Sequence, residues 1–141
     1  MPSQGVVLAM KESRSYAQFQ GCVEEYLIRH RSILDVLSKL QESAARTQRA
    51  VTKAVTTCGC VRVEAEKAVI PPDITYPQLK EHMDTHLRGQ LCEVCRDVIE
   101  TEMGQNLFYL AALCTIANLD MEEILRKQCD RLKTLGNYYL S

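Results

Sequence analysis

Apolar residues recur at intervals of three and four through almost all of this chain, and that spacing commits it to helices. Tyr16, Phe19, Val23, Tyr26 and Leu27 mark a first amphipathic helix opening at Ser15. Ile33, Leu37, Leu40, Ala44, Val51 and Val55 form one stripe of a second. With Ser32 as its N-cap it runs to about Thr57. At that length it extends ~38 Å, enough to reach across a small domain. The period then fails. "CGCVRVEAEKAVIPPD" holds a glycine, two prolines and a short alternation of Val61, Val63 and Ala65. Residues 58–74 therefore read as an irregular connector with one short extended piece.

Helix resumes in "TYPQLKEHMDTHLRG", with Thr75 as N-cap, Gln78 as its capping-box partner and Pro77 in the first turn. Gly89 marks its end or a bend. The fourth helix, from about Gln90 to Ala117, has Leu91, Cys95, Val98, Ile99, Leu107, Leu110, Leu113 and Cys114 on its apolar side. Glu102 and Asn106 fall within that side. A carboxylate there must snorkel, find partners or bind something, because an unpaired buried charge is costly. A fifth helix opens at Asp120, with Glu123 three residues on, presents Ile124, Leu125 and Leu132, and stops at Gly136. The expected fold is all-α, a bundle of four or five helices in one domain over 1–141, with 1–12 loose.

A chain of 141 residues can bury about two thirds of its unfolded surface, so a core needs neither disulfide nor metal. The net charge of −1 gives no electrostatic reason to expect nucleic acid or an anionic membrane. No stretch approaches the ~20 apolar residues of a membrane span. "MPSQGVVLAMK" has no basic leader, so the expectation is no secretory signal and a cytoplasmic protein.

In such a compartment closely spaced cysteines point to metal or redox chemistry. Cys58 and Cys60 end the second helix, and Cys92 and Cys95 open the fourth. If those helices run antiparallel, four thiolates can enclose a tetrahedral Zn²⁺. His86, and His82 four residues before it on the presumed third helix, are further candidate ligands. Two alternatives stay open: a redox pair, with the Cys92 thiolate stabilised at a helix N-terminus, or a core Cys95 among incidental thiols. Cys22, Cys114 and Cys129 sit singly in helices and read as packing residues. Glu93, Asp97 and Glu100 read as a solvated face or as a displaced metal site.

Two stretches resemble the MazG-like all-α nucleoside triphosphate pyrophosphohydrolases. "LSKLQESAARTQRAV" is similar to that family's helix written K-L-x-E-E-x-x-E, and "ETEMGQNLFYLAALCTIANLDMEEIL" to its E-E-x-G-D-x-L-F-Y-L helix followed by a turn and a last helix opening D-x-E-E. The resemblance implies a four-helix bundle assembled as dimers or tetramers. It also implies a nucleotide as ligand and a Glu-x-x-Glu facing a Glu-x-x-Asp. Four carboxylates so placed converge on Mg²⁺, which bridges phosphates and activates water.

Carried over position by position, the pattern is damaged. Glu42 and Glu102 match acids, but the remaining positions hold Ser43, Arg46 and Gln105. The resemblance thus implies a remnant Mg/nucleotide site of Glu42, Arg46, Glu102 and Gln105, in which Arg46 either pairs with Glu102 or Glu42 in place of the metal or simply points to solvent. Three functions follow as expectations. They are a non-catalytic binding or oligomerising module, an active Mg²⁺-dependent pyrophosphohydrolase with atypical ligands, and a zinc or thiol sensor built on the cysteine pairs.

Overall fold

The computed structural model describes residues 15–136; the expectation of a loose segment over 1–12 lies outside them. Among the described residues five α-helices dominate: α1 (Tyr16–Tyr26), α2 (Ile33–Lys53), α3 (Leu79–His82), α4 (Glu93–Ile116) and α5 (Met121–Leu135). Their starts follow the capping chemistry. Ser15 and Gln18 exchange the two hydrogen bonds of a capping box, and Thr75 and Gln78 do the same before the short 3₁₀ turn Tyr76–Gln78. Asp120 accepts from the backbone N–H groups of Glu122 and Glu123 at the head of α5.

α2 and α4 form the antiparallel pair that organises the rest. Two apolar clusters hold it. Val23 of α1 and its C-cap Leu27, Val36 of α2, Ala111, Ala112 and Cys114 of α4 and Met121 of α5 close one end. Ala50, Ala54, Val61 and Ile99 close the other. Between the clusters the interface turns polar. Asn106 Nδ2 donates to Ser43 Oγ (3.1 Å) and to the Leu40 carbonyl (3.4 Å), so the buried Ser43 is satisfied. The Gln20 side chain donates to the Leu119 carbonyl and accepts from Met121 N–H, fixing α1 to the turn between α4 and α5.

Three features differ from the sequence reading. The third helix ends at His82, and residues 87–89 form a strand instead. This β2 (Leu87–Gly89) pairs antiparallel with β1 (Val61–Val63), in the register Val61↔Gly89, Arg62↔Arg88 and Val63↔Leu87. Local chemistry stops the helix: Asp84 accepts from His86 N–H and ion-pairs with Arg88, and His86 takes a φ of 60°. These contacts hold the Asp84 carboxyl well below the usual carboxylate range, through the Arg88 hydrogen bond first and the His86 N–H second.

The second difference is the inward face of α2. The stripe Ile33, Leu37, Ala44 and Val51 is exposed, and Val36, Ser43 and Ala50 face α4 instead. Small side chains let the two helices approach closely. The third difference lies in α4 and α5. Val98, Leu107 and Leu110 on α4, and Ile124, Leu125 and Leu132 on α5, are all exposed. Among the described residues, large exposed apolar side chains outnumber the buried ones. Cys129, expected to pack, is exposed as well.

Candidate functional site

Helical order ends at α2 in a way that positions thiols. Residues Ala54–Cys58 form one π-helical turn, closed by Gly59 N–H donating to the Ala54 carbonyl (2.9 Å). Gly59 then takes a left-handed φ of 78° and ends the helix. Cys58 and Cys60 flank that reversal, with Cys60 Sγ 3.9 Å from the Ala54 carbonyl. From Val61 the chain enters the ribbon, leaves after Val63, and returns as β2. The pairing Val61↔Gly89 brings the residues after β2 back beside those before β1. Cys92, the N-cap of α4, lies just beyond.

The Sγ atoms of Cys58, Cys60, Cys92 and Cys95 lie within 4.8 Å of one another, and those of Cys58 and Cys92 are 3.8 Å apart. Cys58 is exposed and the other three are half-buried. Four cysteines so grouped can hold a metal ion. The backbone N–H of Cys95 donates to Cys92 Sγ (3.4 Å). That bond, with the Cys95 thiol behind it, brings the Cys92 thiol down to about 7. Its neighbour pays in the opposite direction: contact with Cys92, then burial, pushes Cys95 up to about 12.

His86 stands outside this group, and the i, i+4 spacing of His82 and His86 has no helix to act on. Glu93, Asp97 and Glu100 are exposed on α4, and among the described residues they form no metal-holding group.

The second constellation lies midway along the α2–α4 pair. Lys39, Glu42, Ser43, Arg46, Thr101, Glu102, Gln105 and Tyr109 line one cleft of about 280 Å³. The carried-over positions Glu42, Ser43, Arg46, Glu102 and Gln105 therefore fall around a single space. Arg46 bridges its two walls. Its Nε donates to Glu102 Oε2 at 3.0 Å and its Nη2 to Glu102 Oε1 at 3.4 Å, a two-pronged contact. Its Nη1 lies 3.7 Å from Glu42 Oε1. The Glu102 side chain is only 17% exposed, so on this inward face the guanidinium supplies the partner that a buried carboxylate requires. Hydrogen bonding to Glu102 raises the Arg46 guanidinium still further. Lys39, bonded at 3.0 Å, and then Arg46 hold the Glu42 carboxyl below its ordinary value.

Sequence reasoning missed the polar seam that Ser43 and Asn106 build beside this cleft. The signal was present, since Asn106 was placed on the inward side without a partner. No protein-family model, curated protein or solved structure matches this chain. No helix among the described residues is long and apolar enough to cross a membrane.

Proposed function

We propose that this chain is a cytoplasmic, MazG-like helical module that has kept the bundle and lost the hydrolysis, and that it acts by self-association. One observation carries the reading: the guanidinium of Arg46 occupies the cleft and is already paired with Glu102 and Glu42. A pyrophosphohydrolase of the family it resembles needs several carboxylates converging on Mg²⁺. Here Ser43 and Gln105 bring no charge, and the fixed cation repels a second one.

Self-association is supported by the exposed apolar stripes. Ile33, Leu34, Leu37 and Val51 on α2, Leu107 and Leu110 on α4, and Ile124, Leu125 and Leu132 on α5 are all exposed. Unpartnered helix faces of this kind gain most from burial against another protein surface.

The test is pyrophosphate release from a panel of ribo- and deoxyribonucleoside triphosphates with Mg²⁺ or Mn²⁺. The expected result is no release above the buffer rate. Metal-dependent turnover of any one triphosphate refutes the reading and favours an active enzyme with ligands outside the family pattern.

A second reading, a zinc- or thiol-based sensor, is favoured by the four grouped sulfurs. Metal release or reversible oxidation coupled to a change in assembly would single it out.

A further inference from the structure

We propose that Cys58, Cys60, Cys92 and Cys95 form a closed tetrahedral site for one structural zinc ion, which clamps the end of α2 to the start of α4. The inference goes beyond the module reading and holds whether or not the cleft is catalytic.

Geometry argues for it first. With Zn–S bonds of about 2.3 Å, the edges of a tetrahedron of sulfurs are about 3.8 Å. The Cys58 and Cys92 sulfurs stand at 3.8 Å, and no pair in the group exceeds 4.8 Å. Closing the set on an ion therefore needs movements of about an ångström, within reach of side-chain rotation. A disulfide would instead require a pair of sulfurs to approach to about 2.05 Å.

The backbone argues for it next. Each pair sits on a turn that aims two sulfurs at one point. The first is the left-handed reversal at Gly59, and the second is the N-cap of α4, where Cys95 N–H donates to Cys92 Sγ. A backbone N–H on a sulfur offsets the charge that four thiolates bring to one ion, as outer partners do in metal sites generally. The ribbon then locks the two turns together. A Cβ built on Gly89 would lie 2.6 Å from the Cys60 carbonyl oxygen, so β2 approaches the first turn as closely as glycine allows.

The ligand set narrows the choice of ion. Four thiolates in tetrahedral array suit zinc or iron and disfavour magnesium, calcium and manganese, which take oxygen ligands. Four protein ligands leave no open position for substrate or water, so the role is structural. Folding of the Cys58–Cys95 region then becomes linked to metal.

The test uses the full chain purified under reducing conditions, with metals measured by mass spectrometry. About one zinc per chain is expected, with C58S and C92S each falling towards zero and the exposed C129S retaining its metal. A cysteine variant that fails to fold would not decide the matter, so the unmodified chain carries a second readout. Of its seven cysteines, the four named should resist alkylation with zinc bound and react once a chelator is added. Cobalt substitution should give the intense visible bands of tetrahedral thiolate coordination. The proposal is overturned by folded, reduced protein that takes up no zinc, by iron in its place, by chelator-dependent protection of other cysteines, or by a Cys58–Cys92 disulfide.

Discussion

Val36→Asp strongly destabilises the protein, whereas Leu37→Asp, one residue on, leaves the fold intact. Val36 is 0% exposed and packs with Val23, Leu27, Ala111 and Ala112 where α1, α2 and α4 meet. A carboxylate placed there must be buried unpaired or take a proton, and either costs about 3 kcal/mol or more. Small domains have only about 5–15 kcal/mol in hand. Leu37 is 46% exposed, so an acid there meets water. Its expected effect is on assembly: a lower mass by light scattering, with an unchanged melting profile once the monomer is reached. Equal destabilisation by the two substitutions would show that the face of α2 has been assigned wrongly.

Gly89→Val is expected to be the most damaging change outside the helical core. Gly89 has a φ of +85°, which costs an L-residue about 1–2 kcal/mol even without a clash. Here the new Cβ also meets the backbone oxygen of Cys60 at 2.6 Å, and backbone cannot swing aside as a long side chain can. Relief requires β2 to move off β1, taking Cys92 away from Cys58 and Cys60. Thermal melts should therefore show a loss of at least about 2 kcal/mol, together with loss of bound zinc. Gly59→Ala is the internal comparison. Its φ of +78° imposes similar strain, but nothing lies within 4 Å of its Cβ position. Equal losses at the two glycines would remove the close approach as a cause.

Much of the helical fold is legible in the residues, and the failures are physical. Capping boxes at Ser15 and Thr75 and the N-cap at Asp120 are local chemistry, complete within four residues, and they mark true helix starts. The face of α2 is different. Periodicity selects the most apolar stripe, Ile33–Leu37–Leu40–Ala44, but helix packing here prefers Ser43, Ala50 and Ala54, which are small. Most of the richer stripe, Ile33, Leu37 and Ala44, is left exposed, and Leu40 is half-buried.

"DTHLRG" misleads for another reason. Its strand exists only because Val61–Val63 lies alongside, and pairing across the connector leaves no trace in local spacing. The same pairing decides whether the cysteine pairs meet, so residue spacing could nominate four ligands without joining them. Arg46 was legible as an intruder among acids. The Ser43–Asn106 seam beside it required knowing which residues of α2 face α4.

Manganese binding followed by electron paramagnetic resonance asks whether the α2–α4 cleft can hold a divalent cation, since Mn²⁺ takes the oxygen ligands that Mg²⁺ does and its free form is counted by its signal. The wild-type chain should leave Mn²⁺ free, because Arg46 already holds Glu102 and Glu42. The double variant Arg46→Glu, Gln105→Asp returns two carboxylates to the cleft and should capture the ion. Wild-type protein that binds Mn²⁺, and loses it on Glu102→Gln, would contradict the account: the cleft would then be a working metal site with Arg46 displaced from it.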